Sequence, residues 1–339
     1  MSDALSSSLF PACFVSFPSQ SVAQRSASFF LAAEEYVAKH FPAGSYFFLW
    51  RTQPTVVVGR NQTIEQEVNV EFCREQGIEI VRRKSGGGCI YSDGNNVMLS
   101  LITPAGSVEP IFRAYAEQIA HALTELGAKA DVSGRNDIVL ADGRKVCGNA
   151  FYHLPERNIV HGTMLYDVDV ETMVRAITPS SDKLKMKGTE SVRSRVGSLK
   201  EYINMSIEQL QMVLQQTLSG KTVLLSEEDL HEVEEIEKTY RRADFLHKQS
   251  GKGTFQNELY IDGCGSVKLL ITLKEKLIKE LVVSGDFFEV GDTQKVFQQA
   301  FEGTEWDSAA IQNAIETYHP EKTVRGLTEK HLWKLFDFI

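Results

Sequence analysis

The chain has 339 residues, more than one hydrophobic core usually supports, so two domains are expected. Its composition, with 42% hydrophobic and 24% charged residues, is that of a globular protein and excludes wholesale disorder. The net charge of −9 argues against a general nucleic-acid binder, which would carry a dominant basic surface.

The sequence also limits the compartment. No apolar stretch approaches the ~20 residues that span a bilayer, so we expect no membrane partner. The first ten residues carry an aspartate and no Lys or Arg, unlike a secretory or transit peptide. Five scattered cysteines without a CxxC pair indicate neither a disulfide framework nor a cysteine zinc site. A reducing cytoplasm is the simplest expectation.

The first 130 residues mix strand and helix patterns irregularly. Period-two and apolar runs predict strands at 12–17, 45–51, 55–60, 78–83 and 96–103. Amphipathic spacing predicts helices at 28–41, at 64–77 and around 109–126. Because short turns join several successive strands, an α+β domain with a mixed, largely antiparallel sheet is favoured over regular βαβ units.

After about residue 205 the pattern changes. Two helical segments are followed by a linker-like stretch and then by a three-stranded meander with a turn at Asp262-Gly263. The acidic helix at 226–242 has a capping box of Ser226 and Asp229, and its charges are interpreted as a solvated face. Three short helices end the chain, the last capped by Thr328. We therefore predict a large domain at 1–246, a linker at 247–253 and a small α+β domain at 254–339.

A glycine-rich segment, RRKSGGG at 82–88, is the first candidate site. Three glycines let backbone approach a ligand closely, and three cations just upstream favour an anionic group such as phosphate or carboxylate. A triple glycine alone is more typical of a flexible turn in a surface hairpin.

A hairpin at 134–148 is the second candidate. The pattern predicts a β-hairpin with polar groups on one arm and a lysine on the other. Its parts are the sequence GRND, a short strand, an Asp142-Gly143 turn and then Lys145. A lysine fixed on a strand can stabilise negative charge that grows in a transition state, although most strand lysines simply face solvent. Weaker candidates are His161-Gly162-Thr163 and a basic cluster at 181–196, which would make a mobile anion-binding loop.

Together these segments resemble the lipoate–protein ligase family, in the ligases that carry a C-terminal accessory domain. The segment VRRKSGGGCIYSDGNN is similar to the family's RRxSGGGxV stretch, and SGRNDIVLADGRKVCGNA to its GRND…KVSGxA stretch. FLAAEEYVAKHF, FLWRTQPTVVVGRNQTIEQEVN, HGTMLYDVDV and KGTESVRSRV match in the expected order. Ordered matches over roughly residues 30–200 are more specific than any one motif.

The resemblance implies a catalytic domain of the biotin/lipoate-ligase fold, related to class II synthetase cores, with site residues at matching positions. It places Lys145 between the lipoate carboxyl and the α-phosphate as the catalytic residue, and Asp137 as the ligand of Mg²⁺. Residues 181–190 would close over the intermediate through Ser181, Asp182, Lys183, Lys185 and Lys187. The remaining residues expected to bind substrate or nucleotide are Arg83, Ser85, Gly86, Gly87, Gly88, Cys89, Ile90, Tyr91, Asn96, Asn136, Gly148, His161, Gly162 and Thr163.

The implied activity is ATP-dependent. Lipoate would be activated as lipoyl-AMP and transferred to a lysine on lipoyl domains of 2-oxoacid dehydrogenase complexes or on the glycine cleavage H protein. Lys145, Arg83 and Mg²⁺ would stabilise the charge that forms during attack on the α-phosphate. The sequence departs from the family at Ser92-Asp93, where His-Asp is common, and at Val160, which replaces a second histidine.

Three alternatives stay open at this stage. An octanoyl- or lipoyl-transferase would use a cysteine thioester without ATP, and Cys147 lies two residues from Lys145, whose charge would lower its pKa. Residues two apart on a strand share a face, and the ligases that the chain resembles carry a small serine at this position, so Cys147 is interpreted as a small packing residue near the ligand. A biotin ligase would carry a GRGR-like motif, which is absent. A catalytically silent scaffold for lipoyl domains would not need the Arg83, glycine and Lys145 set.

Overall fold

The protein is described by a computed structural model that covers residues 11–18, 25–134, 136–177, 195–247 and 255–336. The predicted linker at 247–253 lies outside these ranges except for its first residue. The exact domain boundary therefore stays a prediction. None of the described helices is long and apolar enough to cross a membrane.

The regular elements follow the predicted order. The strands are β1 (Ala12–Ser16), β2 (Tyr46–Trp50), β3 (Thr55–Val58), β4 (Glu79–Arg82), β5 (Ile90–Ser92), β6 (Asn96–Pro104), β7 (Ala130–Ser133), β8 (Asp137–Leu140), β9 (Lys145–Leu154), β10 (Arg157–Leu165), β11 (Ser219–Leu224), β12 (Phe255–Ile261), β13 (Gly265–Lys274) and β14 (Leu277–Gly285). The α-helices are α1 (Ala27–His40), α2 (Ile64–Glu67), α3 (Val70–Gln76), α4 (Val108–Glu125), α5 (Val170–Ala176), α6 (Ile207–Leu218), α7 (Glu227–Tyr240), α8 (Ala243–Leu246), α9 (Thr293–Phe301), α10 (Ser308–Tyr318) and α11 (Glu329–Leu335).

One predicted helix is interrupted in the structure, so the prediction of a continuous helix is wrong. The segment expected as a single helix at 64–77 is two short helices, α2 and α3. Asn69 separates them because its side-chain oxygen accepts from the Phe72 N–H and so starts a new helix. The end is as predicted, since Gly77 adopts a left-handed conformation there. The predicted caps at Ser226 and Thr328 are also confirmed.

The large sheet has the order β11-β1-β2-β6-β10-β9-β8-β7. Strand β1 pairs in parallel with β11 and β2, and the other pairs are antiparallel, which confirms the mixed, largely antiparallel sheet. Side chains of the central strand β6 pack on both faces of the large sheet. Leu99 and Leu101 pack in the core beneath α4 and α6, while Met98 and Ile102 pack beneath α1 and α7. Helices on both faces therefore fix the middle strands firmly.

Two smaller sheets complete the fold. In the large N-terminal part, β4-β3-β5 form a three-stranded sheet, and the segment between β4 and β5 carries the glycines. In the C-terminal half, β12, β13 and β14 form the predicted antiparallel meander. This meander shares a separate core with α9, α10 and α11, which supports the predicted small α+β domain.

Candidate functional site

A cavity of about 250 Å³ lies where the large sheet meets the glycine-rich segment. Apolar lining residues come from β2 and β6, and an ammonium and a carboxylate come from β9 and β8 further along the same sheet. This distribution suits a ligand with an apolar tail and a charged head. The lining residues are Leu31, Trp50, Val57, Arg83, Gly87, Gly88, Cys89, Ile90, Met98, Asn136, Asp137, Lys145, Gly148, Asn149, Ala150, His161, Gly162, Thr163, Asp286 and Phe288.

Most residues predicted from the sequence motifs meet in this cavity. Segments 83–90, 136–148 and 161–163 converge there because β9 and β10 are neighbours in the sheet and the glycine segment folds over them. Of the predicted residues that the structure describes, four do not line it: Ser85, Gly86, Tyr91 and Asn96. Tyr91 packs in the core beneath the small sheet, and Asn96 is buried and donates to Asp93. Ligand contacts by these residues stay predictions, as do the roles of residues 181–190, which lie outside the described ranges.

Ser85 does not line the cavity itself but contacts His161, which does. Its Oγ lies 2.7 Å from His161 Nε2, and His161 Nδ1 lies 3.0 Å from Glu34 Oε2. Since an ionised carboxylate only accepts, Nδ1 donates to Glu34, and Nε2 shares a hydrogen bond with the Ser85 hydroxyl. Glu34 also accepts from Ser100, to which the Trp50 indole donates. This buried chain fixes both His161 and Trp50 in the cavity wall.

Arg83 is committed mainly to the glycine segment. Its guanidinium donates to the carbonyls of Val57, Gly86 and Gly88 and to Ser85 Oγ, at 2.7–3.1 Å. Burial lowers the pKa of Arg83 to about 10, which still leaves it charged at neutral pH. The guanidinium charge therefore lies next to the backbone of the glycine segment. An anion bound against this backbone would be stabilised by the electric field of the buried guanidinium.

The other two cations of the segment point elsewhere. Arg82 is buried and donates to the carbonyls of Gly59, Gln62 and Leu246, so it braces the surrounding loops. Lys84 forms an ion pair with Glu35 of α1 at 2.6 Å. The expectation that three cations would flank one anion pocket is therefore wrong for Arg82 and Lys84. Successive residues of an extended chain face alternate sides, and only Arg83 faces the cavity.

Lys145 is the cation with reach into the polar end. Its Nζ lies 2.8 Å from Asp137 Oδ1, an ion pair whose angle falls outside that of a hydrogen bond. Both side chains are about one-third exposed, so they remain accessible to a ligand. Gly148 leaves room for the lysine, because a Cβ there would lie 2.7 Å from Lys145 Nζ. The lysine and the aspartate of the hairpin therefore lie side by side in the cavity lining.

The backbone around Lys145 is held from two sides. Its N–H donates to Arg195 O and its carbonyl accepts from the Gly197 N–H, which adds a short bridge outside the sheet. On the facing arm, Asn136 and Asn149 exchange hydrogen bonds between side-chain amides and backbone carbonyls. These contacts fix the polar end of the cavity before any ligand arrives.

A β-bulge separates Cys147 from Lys145. In the pairing of β8 with β9, Ile138 lies opposite Cys147 and Val139 opposite Lys145, which leaves Val146 as the extra residue. Val146 and Cys147 consequently both enter the core, whereas Lys145 faces the cavity. The expectation that Lys145 and Cys147 share a face is wrong here, because the bulge breaks the alternation on which it rested.

The thiols near the cavity are not poised as nucleophiles. Burial raises the pKa of Cys147 to about 12, although the charge of Lys145 opposes this. Burial likewise raises the pKa of Cys89, which lines the cavity, to about 12. Since the thiolate is the reactive form, neither environment favours a thioester route.

The small C-terminal domain contributes part of the cavity lining, which the sequence motifs did not predict. Phe288 lines the cavity, and Phe287 O accepts from the Gly87 N–H at 3.0 Å. A Cβ on Gly86 would lie 2.4 Å from Phe287 O, and one on Gly87 would lie 2.8 Å from the Phe288 ring. Close approach of a second domain, besides any ligand, therefore requires these two glycines.

Two family descriptions match the chain in succession. The lipoyl protein ligase A/B catalytic domain covers residues 26–219, more than half of the chain. The bacterial lipoate protein ligase C-terminus covers residues 250–336. Their order agrees with a catalytic domain followed by an accessory domain.

Curated relatives match over most of their length. Lipoate-protein ligase LplJ of Bacillus subtilis is 33% identical over 298 residues, covering 84% of this chain and 89% of the relative. Lipoate–protein ligase 1 of Staphylococcus aureus is 34% identical over 297 residues, covering 85% and 90%.

Solved structures share the fold. P. falciparum LipL1 in complex with lipoate has a TM-score of 0.78 at 16% identity, covering 96% of this chain and 98% of that one. The bipartite ligase of Thermoplasma acidophilum, described with its E2 lipoyl domain, has a TM-score of 0.64 at 20% identity, covering 72% and 99%. A lipoate-protein ligase A bound with ATP has a TM-score of 0.58 at 20% identity, covering 70% and 98%. With both family regions in order and relatives above 30% identity over most of the chain, this protein belongs to the lipoate–protein ligase family.

Proposed function

We propose that this ligase activates lipoate with ATP and transfers the lipoyl group to a lysine on a lipoyl domain. The supporting observation is the division of one cavity into an apolar wall, with Trp50, Val57 and Met98, and a polar end with Lys145 and Asp137. An acyl tail fits the first and a carboxylate beside a phosphate fits the second. Solved relatives with bound lipoate and with bound ATP support the two substrates.

In the first step, a carboxylate oxygen of lipoate attacks the α-phosphorus of ATP, and pyrophosphate leaves. Negative charge grows on the phosphoryl oxygens, next to the ammonium of Lys145 and the glycine backbone. The ion pair with Asp137 holds Lys145 in place beforehand, so little reorganisation is needed. In the second step, the neutral acceptor amine attacks the acyl carbon, loses a proton and displaces AMP.

The residues present also fit a magnesium ion. Mg²⁺ in such sites usually takes one or two protein carboxylates together with substrate phosphates. Asp137 offers an accessible carboxylate at the polar end, and Asp286 is a second carboxylate in the cavity lining. When bound, the ion would neutralise phosphate charge, and Asp137 would hold it.

The acceptor is expected to be a folded lipoyl domain, of 2-oxoacid dehydrogenase complexes or the glycine cleavage H protein. The structure described with an E2 lipoyl domain supports this class of partner. The apolar lining keeps water from the mixed anhydride until the acceptor lysine enters.

The proposal is tested by lipoate-dependent exchange of labelled pyrophosphate into ATP in the absence of any acceptor. Exchange that requires lipoate and Mg²⁺ is the expected result, because adenylate formation is reversible before transfer. If no exchange occurs while the protein still lipoylates a domain from an acyl thioester, the adenylate route is wrong and a transferase is indicated.

A further inference from the structure

Three potential metal ligands meet in the accessory domain, and none of them lines the cavity. His319 directly follows α10, Glu321 lies in the 3₁₀ turn Pro320–Thr323, and Glu329 opens α11. His319 Nδ1 lies 3.4 Å from Glu321 Oε1 and 3.6 Å from Glu329 Oε1. One ligand atom from each residue falls within 4.8 Å of the other two.

The burial of these atoms calls for a positive partner. The Glu321 side chain is 6% exposed, and within the described ranges its Oε2 has no hydrogen-bond partner. His319 Nδ1 is also buried and without a hydrogen bond there, since its distance to Glu321 is not matched by suitable angles. A buried carboxylate and an imidazole nitrogen left in this state are costly, and a cation between them would satisfy both.

The backbone holds His319 in an unusual conformation. Its φ of 47° and ψ of 51° place a non-glycine residue in the left-handed region at the end of α10, where glycine or asparagine is usual. Such strain is retained where the surrounding structure uses it. Here the conformation allows the imidazole to face the two carboxylates.

We propose that His319, Glu321 and Glu329 bind one divalent transition-metal ion of the zinc type, with water as a fourth ligand. Ligand bonds of about 2.0–2.1 Å in a tetrahedron separate neighbouring ligand atoms by about 3.3–3.4 Å. The observed 3.4 and 3.6 Å are close to this value before any metal is placed. The imidazole nitrogen favours zinc over magnesium or calcium, which prefer oxygen ligands. The half-exposed Glu329 leaves one side open to water.

The ion closes a loop that supports the cavity wall. Between Glu321 and Glu329, the N–H of Arg325 donates to Phe288 O, and Thr323 O accepts from the Val290 N–H, both at 2.9 Å. The same loop therefore holds the segment after β14 that presents Phe288 to the cavity. Metal binding would stabilise the accessory domain and the face that meets the glycine segment.

The proposal is tested on the untagged full-length protein after treatment with chelator and dialysis. Calorimetric titration with ZnCl₂ is expected to show one site that MgCl₂ does not fill, and zinc is expected to raise the Tm by about 3 °C or more. His319→Ala should abolish both effects, whereas His121→Ala, an exposed histidine on α4, should keep them. Zinc binding that survives His319→Ala unchanged, or no binding by the original protein, would overturn the proposal.

Glu321→Gln separates loss of the site from failure to fold. Because it replaces a buried carboxylate, whose Oε2 lacks a hydrogen-bond partner among the described residues, with a neutral amide of the same shape, the metal-free variant should have a Tm equal to or above that of the original protein. Its zinc-dependent rise in Tm should disappear. The matched change Glu302→Gln, at an exposed carboxylate of the same domain, should keep the full zinc response. An undiminished zinc response in Glu321→Gln would contradict the proposed ligand set.

Discussion

Lys145 depends on backbone contacts as much as on its own charge. The bulge at Val146, the bridge to residues 195–197 and the small Gly148 together place its ammonium at the polar end of the cavity. A lysine on a freely twisting strand would lose rotamer entropy on binding a phosphate. Here part of that cost is met during folding, which is the physical basis of preorganised charge stabilisation.

Lys145→Met removes the ammonium and keeps most of the aliphatic stem. We expect lipoate-dependent pyrophosphate release to fall by roughly 100-fold or more, with little change in Tm, since the side chain is partly exposed. Lys129→Met, at an exposed lysine, is the matched control and should retain full activity. A normal rate in Lys145→Met would remove this residue from the chemistry.

Cys147 is predicted to be replaceable. With its pKa raised to about 12, roughly one thiol in 10⁴ is ionised at pH 8. A thioester route would therefore have very little of the reactive thiolate. We expect Cys147→Ser to keep ATP-dependent activity within a few-fold. Cys264→Ser, a fully buried cysteine of the accessory domain, controls for the cost of a buried hydroxyl. Loss of activity only in folded Cys147→Ser would favour the transferase.

At the scale of elements, the glycine segment joins three parts of the fold. Arg83 fastens it to β3, Lys84 to α1, and Gly86 and Gly87 to the accessory domain. The triple glycine is thus neither only a ligand cradle nor only a hairpin turn. Its lack of side chains lets a second domain approach, while its backbone lines the cavity.

Gly86→Ala and Gly88→Ala form a matched pair for this claim. A Cβ at Gly86 meets backbone at 2.4 Å, whereas at Gly88 nothing lies within 4 Å. We expect Gly86→Ala to lower the free energy of unfolding by about 1–3 kcal/mol, through loss of domain contact. Gly88→Ala should change it by less than about 0.5 kcal/mol. Equal effects in urea unfolding would show that the accessory domain does not constrain the glycines.

The Lys84–Glu35 ion pair predicts a pH dependence. Burial pushes the pKa of Glu35 upward, but Lys39 and Lys84 outweigh it and hold the pKa below its ordinary value. A depressed carboxyl pKa stabilises the fold above the unfolded pKa, near 4.5, and that stabilisation is lost as pH falls through the folded pKa.

Lys84→Met should therefore lower the free energy of unfolding by about 1–3 kcal/mol at pH 7, with the difference shrinking towards pH 3. Lys200→Met, which breaks the exposed pair with Asp167, should change it little at either pH. A difference for Lys84→Met that is the same at pH 7 and pH 3 would contradict the ion-pair explanation.

The sequence predicted these elements well and their long-range contacts poorly. Motif order was enough to bring Arg83, Lys145 and His161 into one site. Glu34 was missed because its partner His161 lies 127 residues away, although a carboxylate in an otherwise buried helix was a usable signal. The β-bulge at Val146 could not be predicted, because no residue type at that position indicates a bulge. Phe288 comes from another domain, and no local periodicity reports such contacts.

For the whole molecule, the cavity is a shared product of two domains. The catalytic sheet supplies the apolar wall and the polar end, and the accessory domain adds Asp286 and Phe288. Arg60 pairs with Glu289, and the N–H of Gly285 donates to Asn61 O, so the contact is polar as well as apolar. Interfaces of this mixed kind suit domains that fold separately and meet at a site.

The most direct test of the central claim is acyl transfer to an apo lipoyl domain, followed by intact mass. One sample contains ATP, Mg²⁺ and free lipoate, and the other contains an octanoyl-carrier protein without ATP. The account predicts a mass gain of one lipoyl group on the acceptor lysine only in the first sample, with AMP formed in equal amount. Modification only in the second sample would contradict it.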